Sequence, residues 1–121
     1  MKLWRPVGRN ELVKIQASGM RAFPPRLPEQ PIFYPVLSFT YAEKIARDWN
    51  STRENHGYVG YVVAFDVDDD HVAQFSIETA GGSDCKELWI PAAELDEFNR
   101  HILGDITVVA EYRNGLRVGG G

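Results

Sequence analysis

The stretch from Gly57 to Val67 most limits the folds open to this chain. It is rich in Tyr, Val and Phe, which favour extended backbone, and it predicts a long strand. Three consecutive aspartates, Asp68 to Asp70, follow it, and a second strand is predicted from His71 to Ile77. The two strands are expected to form a hairpin. A further strand is predicted from Asp105 to Arg113, whose centre is β-branched.

Helical patterns alternate with these strands. The first predicted helix covers residues 10–18 and ends at Gly19, a residue that readily adopts the left-handed conformation at a helix end. The second covers residues 40–50, where Thr40 opens a capping box. The third covers residues 91–101, with a proline at its first position. About three short helices are therefore expected.

Shorter strands complete the predicted fold. They cover residues 2–7, 32–37 and 86–90, and Pro35 places the second of them at a sheet edge or a bulge. Between the first two, residues 24–31 contain four prolines and predict a stiff, extended loop. The mixture of short strands and helices predicts a compact α+β domain.

Composition sets limits on the class of protein. A chain of 121 residues, 44% hydrophobic and 25% charged, predicts one folded domain, and residues 114–121 are expected to form a flexible tail. The net charge of −4 argues against DNA or RNA as partners. The single Cys85 predicts no disulfide, and the cysteine and histidines lack the spacing of a metal site. Without a signal peptide or a membrane span, the cytoplasm is expected.

Arg5 is the first candidate functional residue. Strand alternation places it on the same face as Leu3 and Val7, which should point inward. Because a buried guanidinium requires an anion, two interpretations follow. Arg5 forms a structural ion pair, or it recognises the phosphate or ribose of a ligand.

Glu87 is the second candidate. It shares one face of its predicted strand with Trp89 and follows a glycine-rich break at residues 81–84. It is either an exposed charge on an edge strand or a carboxylate that acts on a sugar. The second interpretation gains weight if Arg5 faces Glu87 across a cleft.

Four further residues lie near the start of the second predicted helix. Thr40 is expected to cap this helix, which leaves Ser38 as the better candidate for a hydroxyl that contacts a ligand. Tyr34 and Tyr41 flank Ser38, and each is suited either to stacking on a flat ring or to packing in the core.

Several short segments carry a family resemblance. Residues 3–7 (LWRPV), 11–12 (EL) and 18–19 (SG) resemble the opening of ADP-ribosyltransferase-fold domains of the Arg-Ser-Glu kind. Residues 38–40 (SFT) resemble the Ser-Thr-Ser motif of these domains, and residues 86–89 (KELW) resemble the strand that bears their catalytic glutamate. The whole chain is also similar to a group of small bacterial proteins that carry a loose ADP-ribosylation label.

The resemblance implies a fold, a ligand and a set of roles. The fold would be a split, mixed or antiparallel sheet, and the ligand would be NAD, used as a substrate without a metal. Arg5 would hold its phosphate or nicotinamide ribose, Ser38 would brace the site, and Glu87 would bind the ribose 2′-hydroxyl and stabilise the oxocarbenium-like centre. The implied catalytic residues are Arg5, Ser38 and Glu87, and the implied NAD-binding residues are Arg5, Tyr34, Ser38, Thr40 and Tyr41.

Several functions remain open. The resemblance implies transfer of ADP-ribose, cleavage of NAD, or a fold that binds without catalysis. Cys85 stands where the arginine-modifying branch has a second carboxylate, which disfavours arginine as the acceptor. The alternatives are an interaction, immunity or accessory module, and an enzyme similar to an RNA 2′-phosphotransferase. A catalytic site predicts that Arg5, Ser38 and Glu87 meet in one cavity, whereas an interaction module predicts that they are scattered.

Overall fold

The computed structural model describes residues 1–120 and shows an α+β fold of two antiparallel sheets with helices. The strands are β1 (Lys2–Val7), β2 (Ile32–Phe33), β3 (Val59–Val67), β4 (Ser76–Thr79), β5 (Lys86–Pro91), β6 (Ile102–Arg113) and β7 (Leu116–Gly120). The α-helices are α1 (Arg9–Ala17), α2 (Phe39–Asp48), α3 (Asp69–Val72) and α4 (Leu95–Arg100). Short 3₁₀ turns lie at Asn50–Thr52, Glu54–His56 and Ala92–Glu94. The predicted α+β class is confirmed.

The larger sheet has the strand order β1-β3-β6-β7, and the smaller has the order β2-β5-β4. Every pair of neighbouring strands is antiparallel. The long central strand β3 pairs with β1 on one side and with β6 on the other, so its apolar residues are buried by both neighbours and by the helices. This position explains why β3 is the clearest strand in the sequence.

The two sheets meet at Val36. Its backbone exchanges hydrogen bonds with Trp4 of β1, at N–O distances of 2.7 and 3.0 Å, and it also forms a bridge with Glu87 of β5. Since neighbouring strands lie about 4.8 Å apart, the backbones of Trp4 and Glu87 are about 10 Å apart here. The junction brings β1 and β5 together although more than half of the chain separates them.

Apolar residues pack in two clusters. The larger contains Leu3, Val7, Phe33 and their neighbours, and the smaller packs the alanines of α2 against the larger sheet. Gly60 permits this close approach, because a Cβ at this position would lie 2.2 Å from the carbonyl oxygen of Ala46.

The predicted hairpin between residues 57–67 and 71–77 is wrong. Asp68 accepts a hydrogen bond from the Asp70 backbone and caps the short helix α3, so the chain turns away from β3. Strand β4 covers only Ser76–Thr79 and pairs with β5 in the other sheet. The apolar residue Val72, taken from the sequence as part of a strand, is buried from this helix instead.

The C-terminal segment also differs from the prediction. Asn114 and Gly115 both have positive φ angles and form a tight turn, after which Leu116–Gly120 pairs with β6 as strand β7. The expected flexible tail is therefore a strand over these residues, and Gly121 lies outside the described residues. The predicted third helix is shorter than expected, because Pro91 ends β5 and α4 begins only at Leu95.

Within residues 1–120, none of the helices combines the length and the apolar character that crossing a membrane requires.

Candidate functional site

Two adjoining cavities lie beside the junction of the sheets. The first, of about 560 Å³, extends from Arg5 and α1 to the turns after α2, and the second, of about 470 Å³, extends to Glu87 and Trp89. Arg26, Gln30 and Tyr34 line both of them. We call the two cavities together the groove, and each has the size of a small-molecule site.

Arg5 lies in the wall of the first cavity and is paired with Glu11. Its Nε donates to Oε2 of Glu11 at 2.6 Å, and its Nη2 donates to Oε1 at 3.0 Å. Burial alone would lower the pKa of Arg5, but the Glu11 carboxylate outweighs this effect and raises it. The inward position of Arg5 beside Leu3 and Val7 is confirmed, and its anion is provided by the first turn of α1.

Arg26 differs from Arg5 in forming no ion pair with a carboxylate of residues 1–120. It lies in the proline-rich loop, with its guanidinium carbon 5.9 Å from the ring centre of Phe33, which Arg5 also contacts at 4.6 Å. Burial and the charge of Arg5 lower the pKa of Arg26. Its Nε is buried and has no hydrogen-bond partner among residues 1–120. Arg26 therefore lines both cavities with a guanidinium whose buried Nε is unpaired within residues 1–120.

Glu87 lies in the second cavity and is held by two uncharged donors. Its Oε2 accepts a hydrogen bond from the Tyr41 hydroxyl at 2.5 Å, and its Oε1 accepts one from Trp89 Nε1 at 2.9 Å. Burial and the hydrogen bond to Glu87 raise the pKa of Tyr41, so the phenol stays protonated and continues to donate. Glu87 is 7% exposed, which excludes the interpretation as an exposed edge-strand charge.

Ser38 and Thr40 occupy different positions from those expected. Ser38, not Thr40, is the N-cap of α2, and its hydroxyl accepts a hydrogen bond from the Tyr41 backbone at 3.2 Å. The assignment of the cap to Thr40 is wrong because the helix begins at Phe39, which places its N-cap two residues before Thr40. Neither Ser38 nor Thr40 lines either of these two cavities. Ser38 acts on the groove through Tyr41, whose position it fixes.

The two cavities have opposite charge. The lining of the first, over the described part of the chain, carries the cations Arg5, Lys14 and Arg26 and the carboxylate Glu11. The lining of the second carries Arg26 and the carboxylates Glu29 and Glu87. A cationic hollow in a chain with a net charge of −4 is a local feature that the bulk charge conceals. The groove therefore suits a ligand with an anionic part and a neutral or cationic part.

Aromatic rings line the groove as well. Tyr34 is 41% exposed, borders both cavities and lies with its ring centre 6.0 Å from the guanidinium carbon of Arg5. Trp49 borders the first cavity, and the guanidinium carbon of Arg53 lies 3.9 Å from its ring centre. Exposed rings of this kind are surfaces on which a flat heterocycle stacks.

The residues singled out from the sequence are brought together only in part. Tyr34 and Glu87 line the second cavity, Tyr41 lines neither cavity but donates a hydrogen bond to Glu87, and Arg5 lines the first. Arg5 and Glu87 thus line adjoining cavities rather than opposite walls of one, and Ser38 lines neither, so the prediction that these three residues meet in one cavity is wrong. Arg5 follows Trp4, so its side chain lies on the opposite face of β1 from the row that links Trp4 to Glu87.

Glu11 and Arg26 are among the groove residues that sequence reasoning missed. The sequence indicates only weakly that Glu11 is the partner of Arg5. Glu11 is a carboxylate in the first turn of the helix that directly follows the strand. Arg26 had a stronger signal, a lone cation among four prolines in a loop already expected to be stiff.

A scan against protein-family models, a search of curated proteins and a search of solved structures all found no match to this chain.

Proposed function

We propose that the groove binds NAD and supports cleavage of the bond between its nicotinamide and ribose, with transfer of ADP-ribose to water or another acceptor. The single observation that carries this proposal is the opposite charge of two adjoining cavities that share Arg26, Gln30 and Tyr34. NAD combines an anionic pyrophosphate with a cationic nicotinamide, so its two halves match the two cavities.

The first cavity suits the pyrophosphate and adenosine. Its cations outnumber its carboxylates among the described lining residues, and Glu11 is already occupied by Arg5 through both of its oxygens. Trp49 offers a ring for the adenine, since flat heterocycles stack on exposed aromatic side chains. The pairing with Glu11 makes Arg5 a structural element of this cavity wall. It uses two of the five N–H donors of the guanidinium and leaves about three.

The second cavity suits the nicotinamide ribose. An ionised carboxylate has about four lone-pair sites, and Tyr41 and Trp89 occupy two of those on Glu87. The remaining sites accept a hydrogen bond from the ribose 2′-hydroxyl. When the C1′–N bond breaks, nicotinamide leaves with the electron pair and positive charge develops at C1′, where the fixed carboxylate stabilises it. Water or an acceptor then attacks C1′ and loses a proton.

Tyr41 and Ser38 position this carboxylate. The Ser38 hydroxyl caps α2 and binds the Tyr41 backbone, and the Tyr41 phenol donates to Glu87. Since a buried carboxylate in a fixed geometry needs no reorganisation during the reaction, this hydrogen-bonded chain prepares Glu87 for the charge that develops on the sugar. Ser38 is thus a positioning residue in the proposed mechanism.

The proposal is tested by incubating the protein with NAD and measuring free nicotinamide, with Glu87→Gln as the test variant. Removal of one preorganised charge is expected to lower the rate by about 100-fold or more. Binding is followed separately by the shift of the thermal unfolding midpoint with NAD, which Glu87→Gln should largely retain.

Glu94→Gln is the matched control, because Glu94 is an exposed carboxylate that lines neither cavity. It should release nicotinamide at the wild-type rate. If wild type and Glu87→Gln are equally inactive and NAD leaves the unfolding midpoint unchanged, the proposed function is wrong.

A further inference from the structure

The proline-rich loop carries the guanidinium of the groove that forms no ion pair with a carboxylate of residues 1–120. Arg26 borders both cavities, and its Nε is buried without a hydrogen-bond partner in residues 1–120. A buried N–H of a charged group without an acceptor is costly, and such groups are nearly always paired. Because no residue among 1–120 pairs with this Nε, Arg26, which lines both cavities, is available to an anion from outside the chain.

The nearby Glu11 carboxylate forms no hydrogen bond or ion pair with Arg26 within residues 1–120. Both oxygens of Glu11 already accept from Arg5, through Nε and Nη2. Arg5 and Arg26 approach the ring of Phe33 at 4.6 and 5.9 Å, so two guanidinium groups share one aromatic residue and one carboxylate. Burial and the charge of Arg5 lower the pKa of Arg26, and the charge of Glu11 opposes them without outweighing them.

The loop itself holds Arg26 in place. Pro24, Pro25 and Pro28 flank it and restrict the backbone, and Gln30 closes a turn by donating its N–H to the Leu27 carbonyl at 2.8 Å. A guanidinium on a stiff segment loses little entropy on binding, and its planar fork of donors fits phosphate oxygens.

We infer that Arg26 is the anion-binding residue of the groove and that it binds a phosphate or pyrophosphate at the boundary of the two cavities. Arg5, whose charge is balanced by Glu11, then organises the cavity wall rather than holding the anion. The inference rests on the proposed function only for the identity of the anion as the pyrophosphate of NAD. The anion site itself depends on Arg26 and on the cationic first cavity.

Calorimetric titration of the full chain tests the inference with three probes: inorganic pyrophosphate, ADP-ribose and nicotinamide riboside, which lacks phosphate. In Arg26→Gln, the affinity for pyrophosphate and ADP-ribose should fall by about tenfold or more, and that for nicotinamide riboside should be unchanged. The matched control is Arg21→Gln, since Arg21 is exposed and lines neither cavity.

A second measurement covers the case in which Arg26→Gln does not fold. Wild-type protein is treated with phenylglyoxal, which modifies guanidinium groups, and the modified peptides are identified by mass spectrometry. Pyrophosphate should protect Arg26 and leave Arg21 reactive.

The outcomes separate the two proposals. Pyrophosphate binding that depends on Arg26, together with no binding or cleavage of NAD, supports the anion site and contradicts the proposed function. Pyrophosphate affinity that is equal in wild type and Arg26→Gln, a wild type that binds neither pyrophosphate nor ADP-ribose, or unprotected Arg26 would each overturn the inference.

Discussion

The two ends of the groove hold their carboxylates in different ways. In the first cavity, Glu11 and Arg5 form a bidentate ion pair, with N–O distances of 2.6 and 3.0 Å. In the second, Glu87 is buried and its two hydrogen bonds come from the uncharged donors Tyr41 and Trp89. Both carboxylates lie on elements that the sequence predicts, yet their surroundings differ in charge.

This difference in surroundings indicates a structural role for Glu11 and a functional role for Glu87. The ion pair between Arg5 and Glu11 connects β1 to α1, and each partner neutralises the charge of the other. A structural role explains this pair fully. A buried carboxylate without a cation needs hydrogen bonds to offset its desolvation, and Tyr41 and Trp89 donate these to Glu87. Groups of this kind concentrate at functional sites, where stability is given up for reactivity.

The largest expected effect comes from removing the charge of Glu11. Glu11→Gln leaves the buried Arg5 guanidinium without its anion, and the free energy of unfolding should fall by about 3 kcal/mol in urea denaturation. Glu97→Gln, at an exposed carboxylate that pairs with Arg100 and lies 3.5 Å from His101, is the control and should shift the urea midpoint far less than Glu11→Gln. An unchanged midpoint in Glu11→Gln would show that the ion pair contributes nothing to the fold.

A smaller effect is expected at the other end of the groove. Glu87→Gln removes a buried charge that has no cationic partner and retains the volume and one acceptor oxygen. The free energy of unfolding should therefore change by less than about 1 kcal/mol. Urea denaturation of both glutamine variants gives the comparison directly, and equal losses in Glu11→Gln and Glu87→Gln would remove the distinction between the two ends.

The smallest effect is a pH dependence at the cationic end. Burial lowers the pKa of His56, and the charge of Arg53 adds to this, although Glu11 opposes it. Because the unfolded chain binds this proton near the ordinary value of 6.5, stability should be complete above that pH and decrease as the pH falls below it. Unfolding curves between pH 7.5 and about pH 5 measure the slope.

His56→Gln provides the comparison for this slope. His71 contributes with the same sign, since burial and then the neighbouring His101 lower its pKa, so a slope should remain in the variant. The slope in His56→Gln should nevertheless be smaller than in wild type. A slope that is equal or larger would contradict the assignment of His56 to the buried wall of the first cavity.

Parts of the fold were predictable because local signals agreed with the tertiary structure. Residues that favour extended backbone are frequent in β3 and β6, which form the centre of the larger sheet. The inward face of β1 follows from the alternation of side chains along a strand. The N-cap of α2 was placed two residues late because Ser38 and Thr40 both suit this position, and only the backbone distinguishes them.

Other parts depended on contacts distant in sequence. Strand β4 was paired with its neighbour β3 in the prediction, whereas the capping of α3 by Asp68 sends it to β5. Strand β7 was taken as a tail because glycine weakens strands, although pairing with β6 overrides this preference. No local pattern indicates that Val36 joins Trp4 to Glu87, and this junction is what brings the two cavities together.

The central claim, that the two cavities form one binding site, is tested most directly by a titration with NAD followed by ¹⁵N-correlated NMR. The reporters are the Nε–H of Arg26 and the Nε1–H of Trp89, and the Nε1–H of Trp4, which lines neither cavity, is the reference. We predict that the signals of both reporters shift with the same Kd for NAD, whereas the Trp4 signal does not shift. Signals that shift with different Kd values, or a titration in which only one reporter or neither responds, would contradict the claim.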